Sequence, residues 1–199
     1  MNIIKTILID LGDVIVYYDL DKFGEYICNL GVSPNKDKEY FMRYKKEYDE
    51  GIISSEEFWQ GYIDFTGIKS PINELANKIK EIIRLDQDML GLIKKLKGEG
   101  TKIIIVSNID ENTFCGIKKL INLKDYFDAV YVSFQHGTLK SDIRFFTKII
   151  NEHKLNPAET LFIDDNEENI KVAQKANIKT YLFRSFEDFQ VAINSGILS

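Results

Sequence analysis

The apolar residues of this chain arrive in short unbroken runs, and no other feature of the sequence constrains the fold as much. Five runs stand out: Ile3–Ile9, Lys102–Val106, Ala129–Ser133, Thr160–Ile163 and Thr180–Phe183. A strand wetted on one face alternates apolar and polar residues. A continuous run has both faces covered, which is the mark of a parallel sheet held between two helical layers. Helical spacing separates the later runs. Met89, Leu92, Ile93 and Leu96 recur on one face ahead of Gly98-Glu99-Gly100, and the sets Phe145, Phe146, Ile149, Ile150 and Ile170, Ala173, Ala176 follow the same rule. Strand–helix–strand repetition implies right-handed crossovers, so the expected class is α/β with a doubly wound parallel sheet.

The interval between the first two runs is too long for one crossover. Residues from about 17 to 87 read as helix throughout. Leu20–Leu30 carries Phe23, Tyr26 and Ile27, and Lys36–Tyr48 carries Tyr40, Phe41, Tyr44 and Tyr48. Ser54-Ser55-Glu56-Glu57 is a capped helix start ahead of Phe58, Tyr62 and Phe65, and Pro71 opens a last helix. The simplest organisation is a helical lobe, residues 17–87, inserted into a core made of residues 1–16 and 88–199. The aromatics of the lobe are expected to be packing.

The chain has 199 residues and a net charge of −5, which argues against nucleic acid or an anionic membrane as partner. Its two cysteines, Cys28 and Cys115, make no metal or redox spacing. No apolar stretch approaches the roughly 20 residues that span a bilayer, and no signal peptide is evident. The cytoplasm is therefore the expected compartment. Oligomeric state is not legible.

Chemistry is concentrated where the runs end. Asp10 follows the first, Ser107-Asn108 the second, Lys140 the third after an interval, and Asp164-Asp165 the fourth. In a parallel sheet all strand C-termini share one edge, so these groups can converge. A carboxylate can attack phosphorus. Mg²⁺ takes oxygen ligands, and Asp10 with Asp165 could provide them. A serine hydroxyl, backbone N–H groups and a lysine ammonium can hold phosphoryl oxygens, and the same lysine offsets repulsion among the acids.

In this order the groups resemble the motifs of the haloacid dehalogenase superfamily. Ser133-Phe134-Gln135-His136-Gly137-Thr138-Leu139-Lys140 is similar to its Ser-x-x-x-Gly-x-x-Lys run, and Phe162 to Ile170 is similar to its last motif. Asp10-Leu11-Gly12-Asp13-Val14, with Glu50-Gly51-Ile52-Ile53-Ser54 and Phe58, resembles a branch of bacterial sugar-phosphate phosphatases that includes the α-glucose-1-phosphate phosphatase type. The resemblance implies a Rossmann-like core with a helical cap. It implies a Mg²⁺-dependent phosphatase acting on a small phosphorylated metabolite, a sugar phosphate foremost, through an aspartyl-phosphate on Asp10. It also implies that Leu11, Gly12, Ser107, Asn108 and Lys140 bind phosphate. The metal would be held by Asp10, the Gly12 carbonyl and Asp165, with Asp164 acting through water or as the partner of Lys140, and Asn169 supporting them.

Three departures qualify the resemblance. The superfamily's usual acid–base aspartate stands two places after the nucleophile, where this chain has Gly12. Asp13 is expected to take a turn or packing role instead, since neighbours in an extended segment point apart. Ser141 replaces a usual proline after Lys140 and is expected to cap the next helix, and Asn177 replaces a usual glycine. Gly12 keeps other readings open: a catalytically weak or inactive binding protein on the same fold, a haloacid dehalogenase, or a phosphomutase. His136 is expected on a surface loop. Tyr17, Tyr18, Asp19 and Tyr44 are candidate substrate contacts from the cap.

Overall fold

The computed structural model describes residues 3–199. In chain order it runs β1 (Thr6–Ile9), β2 (Val16–Tyr18), α1 (Leu20–Asn29), α2 (Pro34–Asp49), α3 (Ser55–Thr66), α4 (Ile72–Glu81) and β3 (Ile83–Leu85). It continues through α5 (Gln87–Gly98), β4 (Lys102–Ser107), α6 (Glu111–Leu120), β5 (Ala129–Val132), α7 (Ser133–His136) and α8 (Ile143–His153). The last elements are β6 (Thr160–Asp164), α9 (Glu167–Lys175), β7 (Lys179–Leu182) and α10 (Phe186–Asn194). All five apolar runs are strands of one parallel sheet, in the order β5-β4-β1-β6-β7.

The sheet is apolar on both faces because alternate residues of each run enter different layers. Ile7, Ile9, Ile103, Ile105, Leu161 and Ile163 share one cluster with Met89, Ile93, Phe114, Ile117 and Phe189. Leu8, Ile104, Val106 and Phe162 share the other with Phe145, Phe146, Ile149 and Ile170. Each such side chain contributes about 1.5–3 kcal/mol when fully buried. A shift of register by one residue would exchange the two sets, so side-chain shape on both faces holds the register. β1 is central, with Ile7 opposite Ile103 on one side and Leu161 on the other. The chain therefore reverses its winding direction at the end of β1, and such a reversal opens a crevice at the strand C-termini.

The segment from 17 to 87 is not helical throughout. β2 and β3 pair as an antiparallel ribbon, Tyr17 opposite Arg84, at the root of the helices. Each strand has three residues, too few for alternation to be read, and its partner is distant in sequence. The four helices enclose a third apolar cluster that includes Phe23, Tyr40, Phe58, Trp59, Tyr62 and Leu75. Tyr48 stacks on Phe58 at 4.2 Å between centroids. The Tyr40 hydroxyl donates to the Phe58 carbonyl at 2.6 Å, so the aromatics do act as packing. Ser54 and Glu57 form the reciprocal cap expected of α3, at 2.8 and 3.2 Å.

Other local expectations divide. Asn177 adopts the left-handed conformation, with φ 60°. Ser141 does not cap α8; the Asp142 carboxylate does, accepting from the Arg144 N–H at 2.8 Å. A carboxylate one residue nearer the helix reaches the free N–H group better and complements the helix dipole. Among the described residues, no helix is long and apolar enough to cross a membrane.

The lobe touches the elements beside the sheet through defined bonds. The Ser133 hydroxyl donates to the Asp49 carbonyl at 2.5 Å and accepts from the Ile109 N–H at 2.9 Å. Asn112 donates to the Ala76 carbonyl at 2.9 Å. Gly51, at the end of α2, has φ +69°, and a Cβ there would lie 2.5 Å from the Phe134 carbonyl oxygen. A left-handed non-glycine residue costs about 1–2 kcal/mol before any clash. Gly51→Ala is therefore expected to lower the melting temperature more than Gly31→Ala, which has φ +85° but open space around it. Thermal denaturation of the two variants separates strain from contact, and equal losses would show that the approach to Phe134 contributes nothing.

Candidate active site

Asp10 leaves β1 directly into the crevice. Its N–H still donates to the Ile163 carbonyl at 3.0 Å, which continues the sheet ladder and fixes the carboxylate's direction. One carboxylate oxygen accepts the Leu11 N–H at 2.7 Å. The other meets the Lys140 ammonium at 2.6 Å. The same ammonium lies 2.7 Å from Asp164. Lys140 is 2% exposed and Asp164 0%, so this is a buried acid–base–acid bridge. Buried charges are tolerated only when paired and hydrogen-bonded, and both conditions are met. Asp164 also accepts from the Asn166 N–H at 2.8 Å and from the Asn169 amide at 3.1 and 3.2 Å. The Lys140 N–H donates to the Asn108 side chain at 2.9 Å, which places the lysine's backbone.

Burial is the largest influence on Asp10 and pushes its carboxyl up to about 6; Lys140 opposes the shift and Asp164 adds repulsion. Burial alone would depress Lys140, but the two flanking carboxylates outweigh it and hold the ammonium's pKa above its usual value. Asp165 is raised by burial first, then by Asp164 and Asp13. Oxygen atoms of Asp10, Asp164 and Asp165 lie within 4.8 Å of one another. Three carboxylates around one ammonium leave net negative charge, a donor set suited to a hard divalent cation.

A cavity of about 400 Å³ opens from this cluster toward the helical lobe. Of the residues singled out from sequence, Asp10, Gly12, Ser107, Asn108, Lys140 and Asp165 line it. Asp164 sits behind Lys140, as its partner. Leu11 is fully buried and its N–H is engaged by Asp10, so it is not at the cavity wall. Asp13 takes the turn role expected of it, and a place at the site besides. It is left-handed, with φ 52°, and closes a turn by donating to the Val16 carbonyl at 2.9 Å, yet it also lines the cavity. The tight turn rotates it out of the alternation of an extended segment. Gly12 borders open space: a Cβ would meet nothing within 4 Å.

Tyr18 lines the cavity, but the other three cap candidates do not. Tyr17 projects on the ribbon, Asp19 caps α1 by accepting from the Lys22 N–H at 3.4 Å, and Tyr44 packs on Tyr40. His136 stacks on Tyr131 at 3.6 Å. Sequence reasoning missed Phe41, Lys45, Tyr48 and Trp59, which all face the cavity. The spacing of Phe41, Lys45 and Tyr48 puts them on one face of α2, so a lysine inside an aromatic stripe was the available signal. Asp110 caps α6, accepting from the Thr113 N–H at 2.9 Å, and also lines the cavity.

The chain belongs to the haloacid dehalogenase-like hydrolase family, whose model matches residues 25–183. It is 29% identical to a D-ribitol-5-phosphate phosphatase of Bacteroides thetaiotaomicron, over 89% of this chain and 91% of that one. It is 26% identical to a sesquiterpene phosphatase of Aspergillus oryzae, over 65% and 66% of the two chains. The crystal structure of a family enzyme from Bacteroides thetaiotaomicron, in complex with magnesium and inorganic phosphate, superposes with a TM-score of 0.85. That enzyme is 26% identical, with 95% of this chain and 98% of it covered.

The raised Asp10 carboxyl has a consequence for stability. The folded protein prefers the neutral acid, so this group's contribution is intact below its ordinary pKa of 3.8 and is lost as pH rises through about 6. With divalent cations removed by EDTA, the stability of the parent relative to Asp10→Asn is expected to fall between pH 4 and 7. Melting temperatures of both proteins across that range check this, and a difference that rises with pH would refute it.

Proposed function

We propose that this haloacid dehalogenase-like hydrolase is a phosphatase that acts on a small phosphorylated metabolite, a sugar phosphate foremost, with Asp10 as the nucleophile. The observation that carries the reading is the buried bridge from Asp10 through Lys140 to Asp164, at 2.6 and 2.7 Å, beside Ser107 and Asp165. The named relatives support the reaction class. In the same reading, residues 1–16 and 88–199 form the catalytic core and residues 17–87 the cap; residues 1 and 2 lie outside the described part.

The donor set at the strand ends fits Mg²⁺, which Asp10, Asp165 and the Gly12 carbonyl would hold. When bound, the ion supplies positive charge against the phosphoryl oxygens. Asp10 attacks phosphorus through a carboxylate oxygen, the ester P–O bond breaks, and the alcohol leaves. Lys140 neutralises charge that develops on the phosphoryl group, while the Ser107 hydroxyl and the Asn108 loop orient it. Asp164 keeps the lysine charged and in place. Water then attacks the phosphorus of the aspartyl-phosphate, which releases inorganic phosphate and restores Asp10. The cap excludes bulk water and carries the residues that contact the alcohol.

Gly12 itself offers the leaving oxygen no side-chain proton donor, and solvent in the open space beside it is the proton source in this reading. This favours alcohols that leave readily, among them the anomeric oxygen of a sugar 1-phosphate.

Two variants test the reading in the presence of Mg²⁺. Asp10→Asn is expected to abolish phosphate release from every ester while the fold, followed by circular dichroism, survives; full activity would exclude the mechanism. Gly12→Asp has room for its side chain. General acid–base help is typically worth about 10²–10⁴-fold. The variant is expected to gain most on alkyl phosphates and least on aryl phosphates, whose alcohols need no proton. Undiminished phosphate release in EDTA would exclude the proposed role of Mg²⁺.

A further inference from the structure

The cap end of the cavity has its own electrostatic character. Among the described residues, two lysines line the cavity, Lys140 and Lys45. Lys140 is shared between Asp10 and Asp164. The Lys45 ammonium is bonded to Asp49 on its own helix and lies 3.9 Å from Asp110 of the core. Both cations are thus matched or outnumbered by acids. Asp13, Asp110 and Asp165 also face the cavity. Once one phosphoryl group is seated beside Lys140, the described residues of the lining leave no uncompensated lysine for a second anionic group.

Polar and apolar surfaces at this end are also sorted. Phe41, Trp59, Ile79 and Ile82 make an apolar wall. Beside it, Lys45, Tyr48 and Asp110 form one compact polar patch where cap meets core. Asp110 already accepts from the Thr113 N–H and from its hydroxyl, at 2.9 and 2.7 Å. Each carboxylate oxygen has a second lone pair to offer, and Lys45 has donors beyond the one spent on Asp49. A donor and an acceptor side by side match a hydroxyl group, which needs both. The apolar wall matches the C–H face of a sugar or polyol.

We propose that Lys45 and Asp110 read the alcohol part of the substrate, and that this alcohol is hydroxylated and carries no second anionic group. The inference rests on the phosphatase reading and narrows it from phosphorylated metabolites in general to neutral sugar or polyol monophosphates. Lys45 and Asp110 belong to different parts of the chain, so their patch is complete only when the cap lies against the core. Recognition of the alcohol and closure over the phosphoryl group are thereby linked.

The test uses pairs matched except for charge: sorbitol 6-phosphate against 6-phosphogluconate, and glycerol 3-phosphate against 3-phosphoglycerate, with the full chain and Mg²⁺. Like-charge juxtaposition predicts kcat/KM at least about tenfold higher for the neutral member. Asp49→Asn, which releases Lys45, is expected to narrow that ratio. Lys45→Met is expected to lower kcat/KM about tenfold more for sorbitol 6-phosphate than for phenyl phosphate, which has no hydroxyl to read. An anionic member hydrolysed as well as its neutral partner overturns the inference, and so does an equal loss on both esters in Lys45→Met. Should no ester be hydrolysed, the phosphatase reading fails, and the inference is decided by calorimetric binding of the same four compounds to Asp10→Asn protein. Tighter binding of the neutral members then upholds it, and equal or tighter binding of the anionic ones overturns it.

Discussion

The Lys140 ammonium, buried between Asp10 and Asp164, is the interaction on which the rest of the structure depends. Without it, the fully buried Asp164 and the nearly buried Asp10 would repel each other in a medium that screens them poorly. With it, both carboxylates are fixed at the two strand ends that carry them. The sheet supplies the geometry: β1 and β6 are in direct register, so Asp10 and Asp164 leave neighbouring strands at nearly the same level. The apolar layers above and below the sheet bury the strands that carry the bridge. They also keep Lys140 from the solvated conformations that a free lysine would prefer.

The cap adds a second electrostatic pair, built differently. Lys45 and Asp49 are four residues apart on one helix, and Lys45 is partly exposed. Asp110 stands across the crevice on the core. That arrangement is looser than the Lys140 bridge and spans two parts of the chain, as befits a surface that contacts a variable alcohol rather than a constant phosphoryl group. Ser133 connects the two regions. Its hydroxyl joins the Asp49 carbonyl to the Ile109 N–H, so the residue that opens the motif ending at Lys140 also anchors the helix that carries Lys45.

Some features were legible before any coordinates. Continuous apolar runs announced strands covered on both faces, because side-chain periodicity is a local property of the backbone. The Ser54–Glu57 cap and the left-handed Asn177 were likewise legible, since each depends on a few neighbouring residues. The ribbon of β2 and β3 was not, because pairing between distant three-residue segments leaves no periodic trace. Neither was the place of Asp13: its turn is closed by a bond to Val16 that reorients the side chain. Ser141 was expected to cap α8, but the helix starts one residue later than that expectation requires, and Asp142 takes the place.

The sequence by itself determined the fold class and the roster of chemical groups at the strand ends, because hydrophobic periodicity and the common edge of a parallel sheet follow from local rules. Tertiary structure alone decided how those groups share charge. It set Lys140 between two carboxylates, placed Leu11 behind Asp10 rather than at the cavity wall, and brought Lys45 of the cap opposite Asp110 of the core. Those are relations between segments far apart in the chain, and they come into being only when packing of the apolar layers brings the segments to one crevice.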